Sequence, residues 1–480
     1  MHNSPMQEAG SSAGAPADDL HMVFVLLISI TAAMGGLLFG YDWVVIGGAK
    51  DYLFAHFHVT GVDQQGWLTS CALVGALLGS ICSAGLSDRF GRKLMLLVSA
   101  AVFLVSSIFT GLAGSIAAFT LWRVAGGLAI GLASNISPMY IAEISPARWR
   151  GRLVALNQLT IVIGVLAAQI TDWLITRHVP ANATTASLAG SWYDLWAWRW
   201  MFIAVACPSA LFFICSLFVP ESPRWLIKEG RLQKAHKVLS AIGGETFARS
   251  AGQSIQESIG SESLVKVQWK ELLHRGVPAL LVIGVVLAVL QQWSGINVIF
   301  NYATDIYRRA GYTLNQQMFN IVITGVINLV FTFVALFTVD RIGRRTLMLI
   351  GCCGIGLSHL AVGWAFYAHL HGPVVLAFTL ATIAFYAMSL APVTWVLISE
   401  IFPNRVRGAA VAISVSALWI ACFALTYSFQ PLTAALGIAG TFWLYSGICL
   451  AGCIFVFFSV KETKGQSLEE LEQSLHAGRQ

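Results

Sequence analysis

Twelve apolar runs divide this chain, each of roughly 20 residues, the length an α-helix needs to cross the hydrocarbon core of a bilayer. They lie near 23–48, 66–86, 94–114, 116–137, 153–175, 200–219, 277–304, 318–339, 346–368, 372–398, 409–430 and 436–459. Such runs are incompatible with a soluble core, because their outer faces need an apolar solvent. In lipid every backbone polar group must find its partner within the protein, so runs of this length predict helices. Composition agrees: 57% of the residues are hydrophobic and only 11% charged, against roughly a quarter charged in soluble domains. The expected fold is an all-α membrane protein of twelve transmembrane helices.

Residues 1–22 are expected to form a tail. It is polar, carries Asp18 and Asp19, and lacks the basic segment and cleavage site of a secretory signal. The first run is therefore expected to be retained as a span. The gap between the third and fourth runs calls for a tight hairpin. The link at 220–276 should be helical in part, at Pro223–Leu239 and Lys266–Leu273. The tail 460–480 has leucines at 468, 471 and 475, a helical apolar stripe over Ser467–Leu475. The nine cysteines all fall in apolar runs, where a small packing role is the expectation rather than a disulfide or zinc framework.

An even number of spans puts both termini on one side. The joints, link and tail on that side hold 23 of the lysines and arginines, and the other side holds Lys50, Arg177, Arg199, Arg308 and Arg309. The positive-inside rule then predicts cytoplasmic termini. The net charge of +6 follows from this bias and gives no reason to expect nucleic-acid binding.

The halves repeat. Asp88-Arg89-Phe90-Gly91-Arg92-Lys93 follows the second run, and Asp340-Arg341-Ile342-Gly343-Arg344-Arg345 follows the eighth. Glu143 with Arg148, Arg150 and Gly151 follows the fourth run, and Glu400 with Arg405, Arg407 and Gly408 follows the tenth. Two unrelated motifs recurring at nearly one offset indicate two six-helix halves, 23–219 and 277–459. Asp88, Arg89, Arg92, Glu143, Arg150, Asp340, Arg341, Arg344, Glu400 and Arg407 form a candidate conformational latch between halves that rock about a central site.

These motifs resemble the major facilitator superfamily, and the finer matches resemble its sugar porter family of proton-coupled xylose, arabinose and galactose symporters and glucose facilitators. The segments are GGLLFGYD ending at Asp42, RVAGG from Arg123, SPMYIAE from Ser137, PESPRW from Pro220, QQWSGIN from Gln291, DRIGR from Asp340, PVTWVLISEIFP from Pro392 and ETKG from Glu462. The resemblance implies two pseudo-symmetric six-helix bundles around a central cavity.

Asp42 and Arg123 are the clearest ionisable residues deep in a span. Counted along their helices, both lie roughly 9–11 Å below the surface opposite the termini. A buried charge without a partner is costly, so the two are expected to pair. The resemblance assigns Asp42 to the proton-coupled members, whereas facilitators usually carry asparagine there. His359 is expected to be a hydrogen-bonded packing residue.

A sugar presents hydroxyls at its rim and C–H groups on its faces, which calls for amides and aromatic rings. Gln158, Gln291, Gln292, Asn297 and Asn328 supply the amides, and Phe39, Trp395 and Trp419 the rings. Gly295 is expected to break the seventh span. The resemblance maps the family's sugar contacts onto these eight positions. Departures from the xylose-symporter pattern are Asn301, Leu418, Val165 and Trp43, with Gln169 one turn beyond Val165. A less polar, tighter cavity follows, and pentose, hexose and inositol all stay open as substrates.

The expected function is proton-coupled uptake of a monosaccharide by alternating access. Facilitated diffusion is the nearest alternative, followed by a non-transporting sensor or a drug exporter. The expected partners are a monosaccharide, protons and the lipid of a plasma (inner) membrane, with a monomer favoured. No nucleophile–base set, metal cluster or phosphate-binding glycine loop is legible, so no enzyme, cofactor or metal is expected.

Overall fold

A computed structural model describes residues 20–180, 183, 186–263, 277–370, 372–402, 406–460 and 462. It is helical throughout, with no strand among the described residues. Eleven helices are long and apolar enough to cross a membrane. The last would reach ~80 Å if straight at ~1.5 Å per residue, far beyond a bilayer. It breaks at Gly437, whose φ of 72° is non-helical, and so supplies two passes, making twelve.

The first half comprises α1 (Met22–His56), α2 (Val62–Phe90), α3 (Arg92–Gly111), α4 (Ile116–Ile144), α5 (Arg150–Thr176), α6 (Trp198–Ile203) and α7 (Ala206–Phe218). A π-helical turn, Tyr193–Ala197, leads into α6. The linker contains α8 (Pro223–Lys228) and α9 (Leu232–Ser263). Gly230, at φ 72°, separates them. The linker helix expected as one piece over Pro223–Leu239 is thus two. The expected helices at Lys266–Leu273 and Ser467–Leu475 lie outside the described residues.

The second half comprises α10 (Val277–Trp293), α11 (Ile296–Asn301), α12 (Ala303–Arg309), α13 (Leu314–Ile342), α14 (Arg344–Tyr367), α15 (Gly372–Met388), α16 (Leu390–Glu400) and α17 (Arg407–Ser459). Two of its spans are therefore interrupted. One breaks at Gly295, as the sequence predicts, and the other at Ser389, which it does not show.

Close helix contact in lipid relies on small residues, since apolar side chains gain nothing by leaving lipid for one another. At Gly40 a Cβ would come within 1.9 Å of the Ile161 carbonyl oxygen, so α1 and α5 touch backbone to backbone. Large apolar side chains such as Phe218, Phe337 and Phe458 are exposed. Water would not tolerate so many, and lipid does. The halves meet where α2 lies on α17, α5 on α13, and α1 on α11 and α12.

Candidate functional site

The helix break in the seventh span builds the polar centre. Gly295 takes the left-handed conformation at φ 82°, which ends α10 and leaves backbone groups unpaired. His359 accepts that consequence: its Nε2 lies 2.8 Å from the Ser294 carbonyl oxygen, deep inside the bundle. This is the packing role expected for it. Gln291 spans the two breaks, donating from Nε2 to the Leu390 and Ala391 carbonyls at 3.2 and 3.3 Å. Gln292 donates to the Gln291 side-chain oxygen at 3.3 Å. Asn297 donates to the Gln292 oxygen and to Cys422 Sγ, the latter at 3.2 Å. The three amides thus form one buried chain at a place where the helix opens.

The remaining sugar candidates sit around this chain to different degrees. Gln158 is half-buried on α5 and makes no hydrogen bond to it. Asn328 is buried on α13, its carbonyl accepting from Thr332. Trp419 is buried on α17, and its ring meets Phe39 at 5.9 Å and Trp43 at 6.1 Å between centroids. Phe39 and Trp43 stand edge-on at 5.7 Å. This three-ring collar joins α1 of one half to α17 of the other. Trp395 is outside it, 40% exposed on α16. Asn301 is buried, with its side-chain oxygen unpartnered. Gln169 donates to Thr324 across the halves at 3.3 Å.

Asp42 and Arg123 pair as their common depth predicts. Arg123 Nη1 donates to Asp42 Oδ1 at 2.7 Å, and both side chains are almost wholly buried. The guanidinium also lies over the Phe202 ring at 5.1 Å. Asp42 Oδ2 and Arg123 Nε have no partner. One ion pair therefore satisfies only part of each group and leaves polar capacity in an apolar bundle.

The latch candidates behave differently from the expectation of ion pairs between halves. Arg92 grips Glu143 with Nε and Nη2 at 3.0 and 2.9 Å and Asp88 at 3.1 Å. Lys228 of α8 holds Asp88 at 2.9 Å. Arg344 approaches Glu400 at 3.6 Å. Each of these pairs joins helices of one half, or that half to the linker, and none among the described residues on this face crosses between halves. Arg89 lies over the Phe90 ring. Arg150 is exposed and forms no ion pair among the described residues. Arg407 donates to the Phe402 carbonyl at 3.2 Å. Arg341 has a partner, and the Asp340 side chain lies outside the described residues.

Two acids were missed in the sequence. Glu221 accepts from the Arg92 and Lys93 amides at 2.8 and 3.1 Å. Glu462 does the same for Arg344 and Arg345 at 2.9 and 3.1 Å. Each carboxylate caps a helix start that follows a positive-φ glycine, Gly91 or Gly343, where orphan amides and the helix dipole favour an anion. They sit in PESPRW and ETKG, two motifs unlike in sequence that cap equivalent helices in the two halves.

The opposite face holds a second missed group. Lys50 Nζ, fully buried, spends its three protons on Asp51 Oδ1 at 2.9 Å, Thr304 Oγ1 at 2.8 Å and Asp305 Oδ2 at 2.7 Å. Arg308 reaches Asp51 Oδ2 at 3.1 Å and also Asp305. Gln430 of α17 donates to Asp305 Oδ2 at 3.2 Å. Four charges thus close this face between α1 and α12. An apolar groove lined by Leu349, Cys353, Phe385, Cys453 and Phe457 lies between α14, α15 and α17, with the Arg345 guanidinium over the Phe457 ring at its edge.

Comparison with known proteins accords with this geometry. The family model for sugar (and other) transporters matches residues 28–475. The D-xylose-proton symporter of Escherichia coli strain K12 is 36% identical, over 94% of this chain and 95% of its own length. The glucose transport protein of Synechocystis is 38% identical, over 93% and 97%. Among solved structures, the inward-open xylose transporter of E. coli superimposes with a TM-score of 0.81 at 35% identity, covering 94% of this chain and 99% of that one. The chain is a multi-pass membrane protein of the major facilitator fold, two pseudo-symmetric six-helix bundles, and it belongs to the sugar transporter family.

Proposed function

We propose that this protein takes up a monosaccharide together with a proton by alternating access. The observation that carries the reading is a continuous link between the ionisable pair and the amide chain. Trp43, next to Asp42, meets Trp419. One helical turn on, Cys422 accepts from Asn297. A change in the Asp42–Arg123 separation on protonation is thereby transmitted through the ring collar to the groups suited to sugar hydroxyls. Protonating Asp42 cancels its attraction to Arg123, and sugar binding at the break biases the same helices. The names of the similar proteins, a xylose–proton symporter and a glucose transporter, support the substrate class.

The arginine-rich face is cytoplasmic in this reading, with both termini and the linker on that side, and the units that rock are 23–219 and 277–459. Among the described residues, the ion pairs on the basic face lie within a half or tie it to the linker, while the opposite face is bridged by Lys50, Asp51, Asp305 and Arg308. This is the arrangement of a carrier closed outward and released inward. On reversal, the duplicated latch residues exchange partners across the halves.

Uptake of a panel of labelled pentoses, hexoses and inositol into proteoliposomes, with and without an inward proton gradient, tests the function. One or a few sugars should accumulate only with the gradient. Equilibration without accumulation under every gradient would make the protein a facilitator.

A further inference from the structure

Asp172 is the one fully buried carboxylate on α5, and nothing above has used it. It is 1% exposed and forms no ion pair among the described residues. Its Oδ1 has no hydrogen-bond partner. It lies against α1 at Gly48, where a Cβ would come within 2.4 Å of Oδ2. An uncompensated carboxylate in an apolar bundle is costly, and holding a proton removes that charge.

Its surroundings continue the pattern. Tyr41 is within electrostatic reach of both Asp172 and Asp42, and its hydroxyl lies beside that of Thr171. Tyr52 is within reach of both Asp172 and Asp51, and its hydroxyl is also unpartnered. Tyr41, Gly48 and Tyr52 recur at helical spacing on the face of α1 turned to α5. The other titratable neighbours are Cys207 of α7, which faces Tyr41, and Tyr193 before α6, which faces Tyr52. Asp42 Oδ2, Tyr41 Oη, Asp172 Oδ1 and Tyr52 Oη are thus four buried oxygens without a hydrogen-bond partner among the described residues, carried by the facing helices α1 and α5, and α1 also bears Lys50. Buried polar atoms are ordinarily satisfied, and a row of orphans marks a place for water.

We propose that Asp172 is a second proton-binding residue, and that Tyr52, Asp172 and Tyr41 with intervening water form the path by which a proton reaches Asp42 from the face closed by Lys50. A water-borne proton adds to the Asp172 carboxylate. Its later departure to Asp42 is matched by Tyr41 or a bridging water passing on its own proton, so each hop breaks one O–H bond and makes one, and nothing is oxidised. Sugar exchange without net proton movement does not need the path. The proposal rests on the symport reading and deepens it.

The test uses the full chain in proteoliposomes with labelled D-xylose and D-glucose, comparing wild type, Asp172→Asn, Asp172→Glu, Tyr41→Phe and Tyr52→Phe. Three quantities are read: exchange at equal sugar, accumulation under a proton gradient, and the pH profile of accumulation. Asp172→Asn should keep exchange within about twofold and slow proton-driven accumulation about a hundredfold or more, the lower end of the range for loss of a proton-transfer group. Asp172→Glu should recover the rate with a displaced pH profile, which a merely structural residue would not give. Wild-type accumulation and pH profile in Asp172→Asn would overturn this proposal alone. A wild type that exchanges sugar but never accumulates it would overturn the symport reading and this proposal with it. Should Asp172→Asn fail to fold, the tyrosine variants decide, because each removes a single hydroxyl. Slower accumulation with intact exchange supports the path, and unchanged accumulation and pH profile in both overturns it.

Discussion

At the scale of single residues, the proposed sugar site is divided between groups that are already bonded and groups without a hydrogen bond among the described residues. Gln291 holds the two helix breaks together through the Leu390 and Ala391 carbonyls, so its loss would disturb structure as well as binding. Gln158 is half-buried and makes no hydrogen bond among the described residues. Its truncation therefore isolates the ligand contact. Gln158→Ala should weaken sugar binding by roughly 5–150-fold, the equivalent of about 1–3 kcal/mol for a lost buried hydrogen-bond partner, with an unchanged melting temperature. Titration calorimetry showing an unaltered Kd would remove Gln158 from the site. The depth argument for Asp42 and Arg123 was legible in the sequence because both charges interrupt long apolar runs. Asp172 also interrupts one, but it stands four residues from the end of α5, where an acid reads as an ordinary helix terminus. Its burial comes from α1 closing over it, a tertiary fact.

At the scale of elements, the halves are alike in sequence motif and unlike in continuity. The spans α1 and α4 run unbroken, while their counterparts in the second half break at Gly295 and Ser389. The glycine announces its break; Ser389 does so only through its backbone, at φ −131° and ψ −86°. Span ends were the other illegible feature. The apolar run of the first span stops near 48, but α1 continues to His56. Hydropathy falls at Lys50 and Asp51, and the structure buries them because α12 supplies the opposite charges. That network links the two halves on this face. Lys50→Met leaves Asp51 and Asp305 to share Arg308, and breaking a buried pair in this way costs about 3–5 kcal/mol. The closed outer face should lose population, and spin labels at Val62 and Leu314 should show a longer mean separation than in wild type. An unchanged distance distribution would show that ring and backbone contacts hold that face shut by themselves.

At the scale of the whole molecule, a reversible carrier must exchange one set of bridges between halves for another. The structure shows one member of the exchange: charges paired across the halves on the face of Lys50, and, among the described residues, Arg92–Glu143 and Arg344–Glu400 paired within halves on the other. The duplication was readable as two motifs at one offset, which gave the two-bundle fold. Which state those motifs would adopt was not, because the same residues serve both states and only their partners differ. What couples the exchange to a proton is the central claim, and Asp42 is its test. In proteoliposomes holding wild type or Asp42→Asn, external pH is followed as sugar is added without an imposed gradient, beside exchange of labelled sugar in the same preparation. The account expects sugar to draw protons inward with wild type and to leave pH unmoved with Asp42→Asn while exchange continues. Proton uptake by Asp42→Asn equal to that of wild type would contradict it.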